Sequence, residues 1–216
     1  MSARGWAQAI GVLAGTVVIH EIAHAVAARR MGGAVREVGV GFGPVLARRR
    51  VRDVDVTFRP IPLGGFAAID VEKLPPSRRL PVLLAGPLAN IAVGAFLRAV
   101  ARPRHPVSLP GQTRAVEVGG AVAAIAMLRQ AAAAGPKTLL RAAGDINFSV
   151  GLTNLLPVMP LDGGHIAVAK LEAAGADASL VGAFRRVTVG LFLSLALRVL
   201  FTDIARLKTT GGRAAR

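Results

Sequence analysis

From Trp6 to Ala28 the chain is apolar or small at nearly every position, and inside that run stands His20-Glu21-Ile22-Ala23-His24. About 20 consecutive apolar residues are enough to cross a bilayer as a helix. Ionisable groups within such a run are costly, so they mark function by default. His20 and His24, four positions apart, share one face of a helix with about 3.6 residues per turn. Two imidazoles so placed can hold one metal ion, and Glu21, roughly 100° around the helix from His20, can reach a water there without being a ligand. The pattern is that of a zinc-hydrolase helix set in a membrane.

Composition agrees with a membrane location. Of the 216 residues 53% are hydrophobic and only 18% are charged, against about 25% in a typical soluble domain. The 27 Lys+Arg outnumber the 12 Asp+Glu, an excess that in a soluble chain would suggest nucleic acid. Here the cations sit at the ends of apolar runs, as in Arg29-Arg30, Arg48-Arg49-Arg50, Arg78-Arg79 and Arg185-Arg186. That placement suits anionic headgroups and topology control. With one Trp and no Tyr there is little on which bases could stack, so no nucleic-acid partner is expected. The absence of Cys removes thiolate ligands, leaving His and carboxylate to hold a metal.

The expected fold is mainly α, a polytopic membrane helix bundle of about four spans near 6–28, 80–97, 139–161 and 182–201. Between the first two spans, residues 34–69 form a small membrane-associated β-hairpin region. Val35–Val40 and Val51–Phe58 alternate apolar and polar side chains, the strand signature, and Gly41-Phe42-Gly43-Pro44 and Pro62-Leu63-Gly64-Gly65 read as turns. That region is either a surface hairpin array or an edge strand beside the active site, where an unwound peptide could pair with its backbone. Arg98–Arg114 reads as a linker in which His105 is incidental, and 116–134 as an interfacial or extra helix. Residues 1–207 form one core, followed by a basic tail at 208–216.

A hydrolytic zinc site commonly takes three protein ligands, with His₂-carboxylate as one known set. Glu37, Asp53, Asp55, Asp70, Glu72 and Glu117 all lie in polar segments. Asp145 and Asp162 lie near span ends, and Pro157-Val158-Met159-Pro160 followed by Gly163-Gly164 gives Asp162 the turn chemistry to aim a carboxylate inward. Asp162 ranks first as third ligand and His165 second, with Asp162 as a helix cap the plainer alternative. Asn90, the one strongly polar residue of the second span, is either an interhelical contact or part of the cleft. The expected site is His20, His24, Asp162 and one Zn2+ per chain, with Glu21 as the proton-transferring group.

Four motifs occur in order: His20-Glu21-Ile22-Ala23-His24, Ile61-Pro62-Leu63-Gly64-Gly65-Phe66, Ala85-Gly86-Pro87-Leu88-Ala89-Asn90, and Asn154-Leu155-Leu156-Pro157 through Leu161-Asp162-Gly163-Gly164-His165. Together they resemble the site-2 proteases, intramembrane zinc metalloproteases of the sporulation-protease and anti-sigma-factor-protease type. The resemblance implies His20, His24 and Asp162 as ligands and Glu21 as general base. It also implies a membrane-inserted hairpin around Gly41–Phe66 presenting an edge strand to substrate. Asn90, Asn154, Gly64 and Gly65 become substrate-binding candidates. Substrates would be transmembrane helices, cleaved in regulated proteolysis to release a transcription regulator or anti-sigma factor. The 98–116 segment is too short for the PDZ domain of many bacterial members, and no CBS module follows. A minimal core, relying on a regulatory partner protein, is the expectation.

The Arg29–Arg79 segment carries 11 Lys/Arg against 7 in Arg98–Asp145, which places the former in the cytoplasm. The protein is then a multi-pass protein of a bacterial cell membrane with its active site toward the cytoplasmic side. The alternative function is a catalytically silent scaffold that binds membrane helices. A metal transporter would need a polar path continuing through several spans, which the remaining runs lack.

Overall fold

The computed structural model describes residues 3–102 and 121–213. Helix α1 (Ala3–Arg30) leads into strands β1 (Val35–Phe42), β2 (Ala47–Val51), β3 (Val54–Phe58) and β4 (Ile61–Ile69). A single 3₁₀ turn at Val71–Lys73 then precedes α2 (Pro76–Val100). The chain continues as α3 (Ala121–Ala134), α4 (Pro136–Asn154), α5 (Asp162–Ala173) and α6 (Ala178–Arg213). The rest of the expected Arg98–Arg114 linker, with His105, lies outside the described residues, as does Glu117.

Three of these helices are long and apolar enough to cross a membrane: Ala3–Arg30, Ser77–Val100 and Ala178–Thr202. They extend the expected spans at 6–28, 80–97 and 182–201. The span expected at 139–161 differs. It is realised as α4, which stops at Asn154 and carries Lys137, Arg141 and Asp145, too polar to rank with the other three. α4 instead buries Ala142, Ala143, Gly144, Ile146 and Gly151 against its neighbours. Residues expected to form a basic tail from 208 continue α6 as helix to Arg213.

Pro76 starts α2, where the missing N–H costs nothing. Pro81 and Pro87 lie inside it, tolerated because neighbouring helices re-satisfy the freed carbonyls of a membrane helix. Three clusters hold the molecule together. Ala9 of α1, Leu128 and Ala131 of α3, and Ala142 and Ile146 of α4 form one. Ala25, Ala28, Val35, Leu74 and Val82 seat the sheet on α1 and α2. Met159, Val168 and Val181 tie α5 to the start of α6. Beyond that tether α6 leaves Val187, Leu191, Leu195 and Phe201 exposed, the surface expected of a helix solvated by lipid.

The sheet has the order β2-β3-β1-β4. β1 pairs with β3 in parallel and with β4 antiparallel, and β2–β3 is a hairpin. The stretch Val51–Phe58, which alternation read as one strand, is broken at Arg52 (φ 57°). Val51 ends β2 and pairs with Val54 of β3, so Arg48-Arg49-Arg50 forms the middle of an edge strand. β4 is the other edge. It crosses α1 at Gly65, where an added Cβ would lie 2.5 Å from Val17 Cγ1 and 3.3 Å from Glu21 Cγ. The small residue is what brings this strand against the helix carrying the histidines.

Candidate metal centre

Helical spacing puts His20 and His24 one turn apart with ring centroids 4.7 Å apart, and both are buried. Their Nε2 atoms are 3.1 Å from each other. Asp162 completes the group, with Oδ2 3.0 Å from His20 Nε2 and Oδ1 3.3 Å from His24 Nε2. All the donor atoms lie within 4.8 Å of one another.

Asp162 reaches the histidines because of the turn before it. The chain leaves α4 at Asn154, reverses through Leu155–Leu161, and opens α5 with Asp162 as its first residue. A Cβ on Gly163 would lie 2.3 Å from the carbonyl oxygens of Leu155 and Leu156. Gly163 therefore lets the first turn of α5 press against the reversal and turn Asp162 toward α1. Leu161 is the N-cap of α5, and the Asp162 carboxylate reaches across to the two histidines.

The other ring nitrogens are held from behind. His24 Nδ1 donates to the Val82 carbonyl of α2 at 2.7 Å, which leaves Nε2 as a lone pair facing the site. Asn90 Nδ2 lies 3.2 Å from His20 Nδ1, and its Oδ1 is buried without a partner among the described residues. Exchanging the amide's two ends by a half-turn gives that oxygen the Nδ1 proton as its donor and leaves His20 Nε2 as a lone pair facing the site. Asn90 is fully buried and lines neither of the cavities at the site. The structure thus places it behind His20, closer to the interhelical alternative than to substrate contact. A polar group so deep costs about 1–3 kcal/mol when unpaired, so its position beside His20 is a strong constraint on α2.

Two lone pairs and a carboxylate converging on one point make a donor set that suits zinc. Space for an ion exists because α2 presents Gly86 there. A Cβ at that residue would lie 2.3 Å from His24 Nε2 and 2.7 Å from His20 Nε2. Any other residue would fill the cradle.

Two cavities meet at the histidines. The larger, about 520 Å³, contains His20, Glu21, His24 and Asp162 and runs along β4 from Gly65 to Ile69. The smaller, about 380 Å³, is walled by Leu13, Val17, Ile146, Val150 and Leu161 and includes Gly64. Both share His20, Glu21, Gly65 and Asn154. Of the substrate-binding candidates, Gly64, Gly65 and Asn154 thus border the cleft and Asn90 does not. His165 lines the larger cavity but is not among the three residues grouped to hold a metal. Glu21 lies with its carboxylate against the backbone N–H of Ala67 in β4.

Sequence reasoning missed the outer end of the larger cavity. There Asp70 bonds Lys73 at 2.8 Å and also pairs with Arg36. The Lys73 hydrogen bond outweighs the desolvation penalty and, with the smaller help of the Arg36 charge, holds Asp70 below its usual range. Glu172 sits between Arg79 at 3.3 Å and Arg185 at 3.8 Å. Only the paired arginines at 78–79 and 185–186 were visible beforehand, and they read as span-end charges.

Fold and site together define a helical protein with apolar spans, in which two histidines of the first span and a carboxylate of α5 are grouped closely enough to hold a metal ion. The model of peptidase family M50 matches residues 8–197, and the chain belongs to that family. The zinc metalloprotease Rip1 of Mycobacterium tuberculosis is 34% identical over 177 residues, covering 72% of this chain and 43% of Rip1. The chloroplastic membrane metalloprotease ARASP of Arabidopsis thaliana is 36% identical over 99 residues, covering 39% of this chain and 22% of that protein. The site-2 protease from Methanocaldococcus jannaschii has a similar fold, with a TM-score of 0.50 at 22% identity, over 92% of this chain and 68% of that one. The chain spans less than half the length of these curated relatives.

Proposed function

We propose that the protein is an intramembrane zinc endopeptidase that cleaves transmembrane segments of other proteins in regulated proteolysis, releasing a transcription regulator or anti-sigma factor. The observation that carries this is the convergence of His20, His24 and Asp162 next to Glu21, in a cleft bordered by an edge strand. Residues 1–207 act as a single core.

His20, His24 and Asp162 hold one zinc ion per chain, and bound zinc supplies Lewis acidity toward a carbonyl and acidifies water. Asn90 and the Val82 carbonyl keep the two imidazoles in the tautomer that can bind it. Glu21 takes a proton from the attacking water onto a carboxylate oxygen and delivers it to the leaving amine. β4 offers its free edge to a substrate unwound from its helix, and Asn154, at the meeting of the two cavities, orients the peptide beside Glu21. The arginine-rich 29–79 segment faces the cytoplasm of a bacterial cell, and the active site opens on that side. A regulatory partner protein controls access; nucleic acid has no part in the activity.

The test is cleavage of single-span membrane substrates by purified wild type and Glu21→Gln, with zinc quantified in both. Cleavage by the wild type alone, with zinc retained in both, is the expected result. Equal cleavage by both removes Glu21 from the mechanism. Zinc absent from both favours the silent helix-binding scaffold.

A further inference from the structure

The smaller cavity is unused by the mechanism above. Leu13 and Val17 of α1, Ile146 and Val150 of α4, and Leu161 wall it with aliphatic carbon. Beyond the residues it shares with the larger cavity, Thr16 is its only polar side chain among the described residues. The Thr16 hydroxyl already donates to the Val12 carbonyl and accepts from Asn147 Nδ2, both at 3.0 Å. A substrate backbone threaded through this space would strand its N–H and C=O groups in apolar surroundings, which is costly. An aliphatic side chain strands nothing.

Strand geometry says which side chain that is. Gly65 of β4 pairs with Val40 of β1, and a Cβ built on Gly65 would point at α1, 2.5 Å from Val17 Cγ1 and 3.3 Å from Glu21 Cγ. Residues opposite one another on paired strands send their side chains to the same face, and the residues flanking them to the other. A substrate residue paired with Gly65 across the free edge of β4 therefore directs its side chain toward α1, beside Glu21, where the smaller cavity opens between α1 and α4. Asn154, Val150 and Ile146 recur at four-residue steps and so share one face of α4. They descend from Asn154, at the mouth shared with the larger cavity, to Ile146, packed in the core cluster with Ala9 and Leu128. Val150 stands midway.

We infer that the smaller cavity is a specificity pocket for one aliphatic side chain of the substrate, that of the residue paired with Gly65, and that Val150 sets the size it accepts. The inference rests on the protease reading above. Because Gly65 lies against Glu21, the residue that fills the pocket adjoins the cleaved bond.

The test uses blocked synthetic peptides of about 20 Ala and Ser residues with one central position set to Ala, Leu, Phe or Asp. Binding to the Glu21→Gln protein in detergent is read by competition against a fluorescent Leu peptide. Wild-type cleavage is followed as kcat/KM, with the products mapped by mass spectrometry. The Leu peptide binds at least about tenfold more tightly than the Ala peptide, the scale of methylene discrimination in an apolar pocket, and the Asp peptide no more tightly than Ala. Cleavage falls at one fixed bond relative to the Leu. Val150→Phe fills the pocket and brings Leu and Ala within about threefold of each other. Val150→Ala enlarges it and shifts the preference from Leu toward Phe, and it carries the test if Val150→Phe fails to fold, as judged by gel filtration. Leu191→Phe, on the exposed surface of α6, leaves the order unchanged. Equal affinity for Leu and Ala, or a Leu preference that neither Val150 variant moves, overturns the pocket. Cleavage of all four peptides with no Leu preference in binding or kcat/KM overturns the pocket and keeps the protease. A Leu preference that Val150 controls, with no peptide cleaved, keeps the pocket and refutes the protease reading.

Discussion

Replacing Gly86 with alanine puts one methyl group into the space the two metal-facing nitrogens share. The new Cβ would lie 2.3 Å from His24 Nε2 and 2.7 Å from His20 Nε2, where ordinary contact begins at 3.4 Å. Something must move by about 1 Å, and overpacking of this kind costs about 1–3 kcal/mol. Alanine in a helix returns about 0.5–1 kcal/mol relative to glycine, so the net loss of stability is modest. The ligand set is far less forgiving. Zinc holds imidazole nitrogen at about 2.0–2.1 Å and tolerates deviations of about 0.2 Å. A displacement several times larger removes at least one histidine from the site. Zinc affinity is then expected to fall by at least about 100-fold, or roughly 3 kcal/mol, while the protein still folds. The assay is zinc per chain by competition with a chelator, alongside a thermal melt in detergent. Gly94→Ala is the control, because its Cβ would lie 2.6 Å from the backbone nitrogen of Phe148, at the α2–α4 crossing. It should lose stability and keep zinc. Zinc affinity in Gly86→Ala within about threefold of wild type would refute the argument that Gly86 makes room for the ion.

Asn90→Ala removes the amide beside His20 Nδ1 and should weaken zinc by about 10- to 100-fold, read by the same competition. An unchanged affinity would make Asn90 a packing residue only. Glu21→Gln should keep zinc and lower kcat by about 10²–10⁴-fold, seen in single-turnover cleavage with saturating enzyme. Asp162→Asn keeps the volume but loses the charge, and zinc should be lost on dialysis against a weak chelator that spares the wild type. Glu37, on β1, accepts from Thr57 at 2.6 Å and from Arg59 at 3.2 Å. The Thr57 hydrogen bond, opposed by desolvation and aided by Arg59, holds its carboxyl below the usual value of 4.5. A depressed carboxylate stabilises the fold fully above the unfolded pKa, and that stability is lost as pH falls through the folded one. Thr57→Val raises the Glu37 pKa toward 4.5, and with the stabilising bond gone the acid-dependent loss becomes smaller; melting temperatures from pH 6 to 3 would show it.

Local pattern alone indicated most of the bundle and two of the three residues that the structure groups closely enough to hold a metal ion. His20, Glu21 and His24 fall within two turns of one apolar helix, and the spacing of side chains over that distance follows from helix geometry. The apolar runs at 6–28, 80–97 and 182–201 were legible because a bilayer demands continuous apolarity over about 20 residues. The 139–161 run is realised as α4, whose Lys137 and Arg141 are exposed at its start while Ala142, Ala143, Gly144, Ile146 and Gly151 are buried against its neighbours.

The β region was legible as extended chain and not as a sheet. Alternation cannot report a turn such as Arg52-Asp53 within an apolar-polar run, nor that β1 pairs with β3 in parallel. The approach of Asp162 to His20 across 142 positions lay equally beyond local rules, which could only rank it above His165 by turn chemistry. Asn90 shows the limit most clearly. From sequence it was one polar residue in an apolar span, with its partner unnamed. Only the packing of α2 on α1, set by Gly86 and by the Val82 carbonyl, put it behind an imidazole instead of in the cleft. Helix periodicity determined which residues share a face; which faces meet depended on side-chain volumes and hydrogen bonds contributed by the whole chain.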